Sequence, residues 1–250
     1  VYITDEGSTV TLEDVQVTGT LANELDYFGV GMHLDEGATA TVSRGLFSDN
    51  TLNGIQALGA TSLALEQTLV TSTRCTDSND RFGRGLHIEG GGEVSIVDSQ
   101  FLGNHDVGIA VFGDTDADVD GDVDGDADGE DTTVSLDHVL IGDTEERSCV
   151  DLDHENWCND GRGYGLGVYD NATVTVTDVE IADSALGLQL ADGGTVAGGG
   201  LDIHGCSVAV DLQDLPADYD WEAVLDDVAL WGCEASIDES ETMSVPERLP

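Results

Sequence analysis

The sequence has no lysine at all, and its 7 basic residues, all arginine, face 52 acids. The formal net charge is -45. A surface this negative repels phosphate backbones and anionic lipid, so both are poor partners, and we expect no nucleic acid and no membrane insertion. Apolar runs are only a few residues long, too short for a membrane-spanning helix. The chain has 3 prolines, which with its scattered glycines argues against collagen. Aromatic residues make up only 5% of the chain. No leader-like segment heads the sequence and Val1 is not a natural start, so the chain reads as a mature or trimmed piece. What is present is enough to fold: 40% hydrophobic residues and 32 glycines in 250 residues. Acid in such excess without lysine suits strong salt, which screens the self-repulsion.

One short pattern recurs along the chain. It runs V-T-L-E-D-V-Q-V-T-G-T from Val10, A-T-V-S-R-G-L-F-S-D-N from Ala40, and L-A-L-E-Q-T-L-V-T-S-T from Leu63. It continues from Val94, Val134 and Val174, then in a degenerate copy ending at Cys206 and a last one ending at Cys233, eight in all. Apolar positions alternate within each copy, which indicates strand. One apolar column is Leu12, Val42, Leu65, Ile96, Leu136, Val176 and Leu225, failing only at Gly198. A second is Val17, Phe47, Val70, Phe101, Ile141, Ile181, Ile203 and Leu230. A third is small and mostly polar: Thr20, Asn50, Thr73, Asn104, Thr144, Ser184, Cys206 and Cys233.

A further short strand precedes most copies, as in Gly31-Met32-His33-Leu34 and Gly85-Leu86-His87-Ile88. Three short strands recurring with a minimal period of about 22 residues are a solenoid signature. Stacked in register at about 4.8 Å, eight coils give a rod on the order of 38 Å long. The pattern G-[IL]-x-[LVI] … V-x-[VIL]-x-x-x-x-[FIV]-x-x-[NST] resembles the right-handed parallel β-helix superfamily, the pectate-lyase-like fold. We therefore expect an all-β, right-handed parallel β-helix occupying residues 1–250 as one domain. A leucine-rich repeat is disfavoured because no copy carries L-x-x-L-x-L.

Insertions into a scaffold are where function is first sought. Residues 21–28, 75–82 and 145–161 interrupt the same corner, and 214–222 form a closing loop. Arginines and aromatics gather at that corner. There the arginines either tie acidic loops together through ion pairs or, with the aromatic faces, bind a glycan. The candidate ligand-binding residues are Arg81, Arg84, Trp157, Arg162, Tyr164 and Tyr169. Beside them the first strand places His33, Gln56 and His87 in one outward column, with Asp35 and Glu89 two residues on. His33, Asp35, His87 and Glu89 are the candidate acid–base set. The resemblance implies that polysaccharide lyases, hydrolases and epimerases of this fold often work on this face. Their motifs are missing here, however: no lysine exists, no arginine stands in these outward columns, and the paired-Asp and Gly-His-Gly patterns are absent.

Residues 114–131 alternate aspartate with small residues. One register, Asp120, Asp122, Asp124, Gly125, Asp126, Asp128 and Asp131, fits D-x-D-x-D-G-x₅-[DE]. Hard oxygen ligands at alternate positions suit Ca²⁺, and the glycine permits the sharp turn. This resembles the calcium loops of thrombospondin type 3 and dockerin repeats, without flanking helices. The alternative is a solvated acidic loop. Cys206 and Cys233 share one repeat position in successive coils, within reach of a disulfide. Cys149 and Cys158 lie in one loop and pair with each other, or Cys75 pairs with one of them or with a residue outside this piece. Disulfides and Ca²⁺ imply an extracellular or cell-surface protein. The leading expectation is a non-enzymatic β-helix that is adhesin-like or binds a glycan or other cell-surface polymer. The alternative is a carbohydrate-active enzyme, and the recurring threonines also raise ice binding.

Overall fold

The computed structural model describes residues 1–22, 29–75, 82–113, 131–144, 163–213 and 227–238. Nine parallel strands among them form the first sheet. In spatial order these are β1 (Tyr2–Ile3), β4 (Met32–Leu34), β7 (Asn53–Leu58), β10 (Arg84–Glu89), β13 (Val107–Phe112), β16 (Tyr164–Tyr169), β18 (Leu186–Leu190), β20 (Val208–Leu212) and β22 (Ala235–Asp238). A second ladder stacks β2 (Thr9–Glu13), β5 (Thr39–Ser43), β8 (Thr61–Glu66), β11 (Gly92–Val97) and β14 (Thr132–Asp137), then enters β17 (Thr173–Ala182) and β19 (Thr195–His204). The third stacks β3 (Gln16–Thr18), β6 (Leu46–Ser48), β9 (Leu69–Thr71), β12 (Gln100–Leu102) and β15 (Leu140–Gly142). It joins the same two long strands and ends on β21 (Val228–Trp231).

This is the expected coil, with two differences. The first sheet has nine strands against eight copies of the repeat, because a first-sheet strand stands at both ends. In two coils the second and third strands are continuous, as β17 and β19. The corner persists inside them, since Asp178 and Gly200 keep positive φ, 50° and 74°. There the pairing resumes at once beyond the corner, with Thr177 opposite Gly199 and Val179 opposite Leu201.

Register follows the repeat. Leu12, Val42, Leu65, Ile96, Leu136, Val176 and Gly198 pair in succession. So do Val17, Phe47, Val70, Phe101, Ile141, Ile181, Ile203 and Leu230. Leu225 falls outside the described residues. These columns and the inward residues of the first sheet make one continuous core. A one-residue slip would turn every apolar side chain outward, so the core fixes the register. The small polar column is buried as well, except at its two ends, Thr20 and Cys233, which are half-buried. There the Asn50 side-chain carbonyl accepts from the Thr20 amide (3.1 Å), and that of Asn104 from the Thr73 amide (3.2 Å).

Two residues after each apolar column the backbone turns left-handed. One such series is Asp14, Arg44, Gln67, Asp98, His138, Asp178 and Gly200. The other is Gly19, Asp49, Ser72, Gly103, Asp143, Asp183, Gly205 and Gly232. Aspartate tolerates this conformation because its short side chain bonds locally. Part of the acid content is therefore corner chemistry. Ion pairs bridge these corners: Arg44 donates to Asp14 (2.6 Å) and to Glu13, and Arg74 to Asp49 (2.8 Å). The Arg44 guanidinium holds the Asp14 carboxyl below the usual carboxylate range.

In six of the nine first-sheet strands a glycine at or beside the start is required by close approach, and β20 carries Ala209 in its place. A Cβ on Gly165 would lie 2.4 Å from Ile181 Cγ2 and 2.7 Å from the Gly187 carbonyl oxygen of the next coil. Gly165→Ala therefore costs about 1–3 kcal/mol through overpacking. The urea midpoint falls accordingly; an unchanged midpoint would mean the coils do not approach this closely.

Candidate functional site

The candidate site lies on the outward face of the first sheet. Where a first strand carries this glycine, its missing side chain faces the interior, so outward positions are spaced three and then two residues apart. On β10 these are Arg84, His87 and Glu89. The middle column runs His33, Gln56, His87, Ala110, Gly167, Gln189 and Asp211, in the register read from sequence.

The face points outward yet is largely covered. Arg84 is 1% exposed, His87 0%, Tyr164 2% and Tyr169 0%. A second apolar cluster sits here, formed by Val107, Ala110, Phe112, Tyr164, Tyr169, Leu186 and Ala191. Tyr164 and Tyr169, expected as ligand-binding aromatics, are thus members of a core, and Arg84 lies buried beside them.

A buried guanidinium must be paired, and Arg84 is. Its Nη1 donates to His87 Nδ1 (2.7 Å), and its Nε to Asp106 Oδ2 (3.3 Å). Its plane lies 5.0 Å from the Phe82 ring centroid and 5.5 Å from that of Phe112. Arginine only donates, so His87 Nδ1 accepts and its Nε2–H is free to donate to Glu89 Oε2 (2.9 Å). This fixes the imidazole tautomer and occupies both ring nitrogens. A second chain runs across the later coils. Tyr169 donates its hydroxyl to Gln189 Oε1 (2.8 Å), and the amides of Gln189 and Gln213 both donate to Asp211 Oδ2 (2.8 and 2.7 Å). The Tyr169 ring lies flat over Gly167, where a Cβ would meet its hydroxyl at 1.9 Å. Burial pushes the Tyr169 phenol well above its ordinary pKa.

The four acid–base candidates do not converge. They form two separate His–acid pairs, with Gln56 in the coil between. His33 stacks on Tyr2 at 4.5 Å, faces Gln56 Oε1 through Nδ1 (3.3 Å) and Asp35 Oδ2 through Nε2 (3.6 Å). Its side chain is 13% exposed and that of Asp35 33%, so this pair alone reaches solvent appreciably through both partners; the His87–Glu89 pair is 0% and 17%. Arg81, Trp157, Arg162, Cys149, Cys158, Asp120, Asp122, Asp124, Asp126 and Asp128 lie outside the described residues, as do most of the three corner insertions and the closing loop. Asp131 is exposed just before β14. Among the described residues, no group of three or more His, Cys, Asp or Glu side chains is arranged around a common metal position.

Sequence reasoning missed Asp106, Phe112 and Gln213. A signal for Phe112 existed: β13 and β16 read V-G-I-A-V-F and Y-G-L-G-V-Y, nearly continuous apolar runs of the kind found in parallel strands buried on both faces. Asp106 carried no pattern of its own; the need to neutralise Arg84 is what accounts for it.

The Cys206–Cys233 disulfide is present, with the two Cα atoms 4.5 Å apart in adjacent coils. A family model described as the right handed beta helix region matches residues 1–123. No curated protein and no solved structure matches the chain. The match covers the first coils, and the same parallel ladders continue in unbroken register through β21 and β22; the chain is a right-handed parallel β-helix repeat protein.

Proposed function

We propose that this β-helix is a non-enzymatic extracellular module that binds a glycan or other cell-surface polymer and is stabilised by Ca²⁺. The observation that carries the non-enzymatic reading is the closure of the His87 network. A general base must reach a substrate proton. His87 instead spends Nδ1 on Arg84 and Nε2 on Glu89, with no exposed surface. The disulfide supports an oxidising, extracellular setting. The acidic surface supports a saline one. Asp120, Asp122, Asp124, Asp126, Asp128 and Asp131 are the residues that would hold Ca²⁺, through the alternating carboxylates of the sequence.

Calorimetric titration with Ca²⁺ is expected to give saturable heat with Kd on the order of 10⁻⁴–10⁻³ M, and the melting temperature to rise with it. No heat and no thermal shift would remove the calcium claim. Immobilised polysaccharides are expected to retain the protein without being cleaved. The second reading, a carbohydrate-active enzyme, is favoured by one observation, the solvent-reaching His33–Asp35 pair. New unsaturated or reducing ends that vanish in Asp35→Asn or Glu89→Gln would sink the binding-only view.

A further inference from the structure

Far from the first sheet, the third ladder ends on an exposed indole. Trp231 is 56% exposed. Phe47, Phe101 and Phe112 are buried almost completely, whereas Trp231, like Tyr2 in the first coil, leaves its ring in water. The ring is also held in place. His204, its register partner in the preceding coil, stacks on one face at 4.1 Å and 14°. The indole Nε1–H donates to Asp202 Oδ1 (2.6 Å), and His204 Nε2 is bridged to Glu180 Oε1 (2.9 Å). Each of these partners comes from a neighbouring position on β17 or β19. The side chain is thus pre-organised before any ligand arrives, which reduces the ordering cost of binding.

The opposite face of the ring is the one left open. Among the described residues no strand follows β21 in this ladder, and none of their side chains takes the next place in the His204–Trp231 stack. A flat group seated there would continue the stack. The surroundings select its charge. The indole face is the negative side of a quadrupole, the groups that orient the stack are the carboxylates Asp202 and Glu180, and the whole chain carries -45. Anionic groups are repelled. A neutral sugar ring can stack but gains nothing from the field. A guanidinium is flat, stacks on indole, and directs its edge N–H groups at carboxylates.

We propose that Trp231, with Asp202 at its edge, is a cation-binding platform that takes an arginine side chain of a basic protein partner. It is separate from the face discussed above and does not depend on whether that face binds a glycan. The partner's positive field would meet a strongly negative rod, which raises the association rate at low salt.

The test uses the whole chain with ¹⁵N-labelled indoles, following the Trp231 Nε1–H resonance by NMR. The probe is N-acetyl-arginine amide, with N-acetyl-citrulline amide as its uncharged counterpart and cellotriose as a neutral sugar. The expected result is a saturable shift with the arginine probe alone, weakened as salt rises. Trp231→Leu should lower the probe's affinity about two- to fivefold, the contribution of one exposed cation–π contact, read there by probe-detected relaxation. Asp202→Asn keeps the ring and should weaken binding in the same direction. The absence of a saturable shift, or an equal response to citrulline, overturns the proposal. Saturation by cellotriose but not arginine overturns it in favour of a sugar platform.

Discussion

Arg84→Met lowers the unfolding free energy by about 3–5 kcal/mol, read by urea unfolding at constant high salt. The size follows from what is left behind. Methionine fills much of the space between Phe82 and Phe112. It cannot compensate the carboxylate of Asp106, which is 5% exposed and paired to the guanidinium. Nor can it donate to His87 Nδ1, so the tautomer that serves Glu89 is no longer enforced. Removing one partner of a buried pair leaves an uncompensated charge, which costs far more than the pair itself contributes. Adding Asp106→Asn to Arg84→Met should therefore recover part of the loss, making the two substitutions non-additive. A loss below about 1 kcal/mol for Arg84→Met, as for an exposed ion pair, would show that the guanidinium is solvated.

The interior of the rod was readable in the sequence because its physics repeats. An inward column has to be apolar in every coil, so Val17 through Leu230 announce themselves by recurrence. The stacked cysteines were readable for the same reason. The outward face was only half readable. The sequence placed His33, Gln56 and His87 in one column, but not what burial does to them. A strand in a parallel sheet has the same alternation whether its second face is wet or covered, until that face also turns apolar, as on β13 and β16. Arginine and tyrosine usually stand at a surface, which is why Arg84 and Tyr169 read as ligand-binding, whereas here one is neutralised by Asp106 and the other lies over Gly167. The acidity divides in a similar way. Asp14, Asp49, Asp98, Asp143, Asp178 and Asp183 stand at left-handed corners, so these six have a backbone reason to be aspartate in addition to any salt tolerance. Trp231 had no repeat signal, since its significance comes from its exposed place at the end of the described part of its ladder.

The second large effect is expected at that same end. Replacing Cys206 and Cys233 together by serine removes a crosslink across a sequence separation of 27 residues. Chain entropy alone sets the loss at about 3–4 kcal/mol. In a solenoid each coil touches only its neighbours, so such a loss is spent locally. The last described coil is already weaker than the one before it: Val228, Leu230 and Ile237 are only partly buried, whereas the corresponding residues Leu201, Ile203 and Val210 of the preceding coil are covered. Without the crosslink, β21 and β22 should open before the rest of the rod. Hydrogen exchange then shows protection lost at Ala229–Trp231 and along β22, while the amides of β8 and β11 keep theirs. Thermal melts resolve a small early transition ahead of the main one. Because Trp231 rides on β21, its stack on His204 loosens in the same step, and its affinity for the arginine probe falls although neither ring is altered. Loss of protection spread evenly over all coils would instead mean that the disulfide supports the whole rod cooperatively, and that its last coil is no more independent than its first.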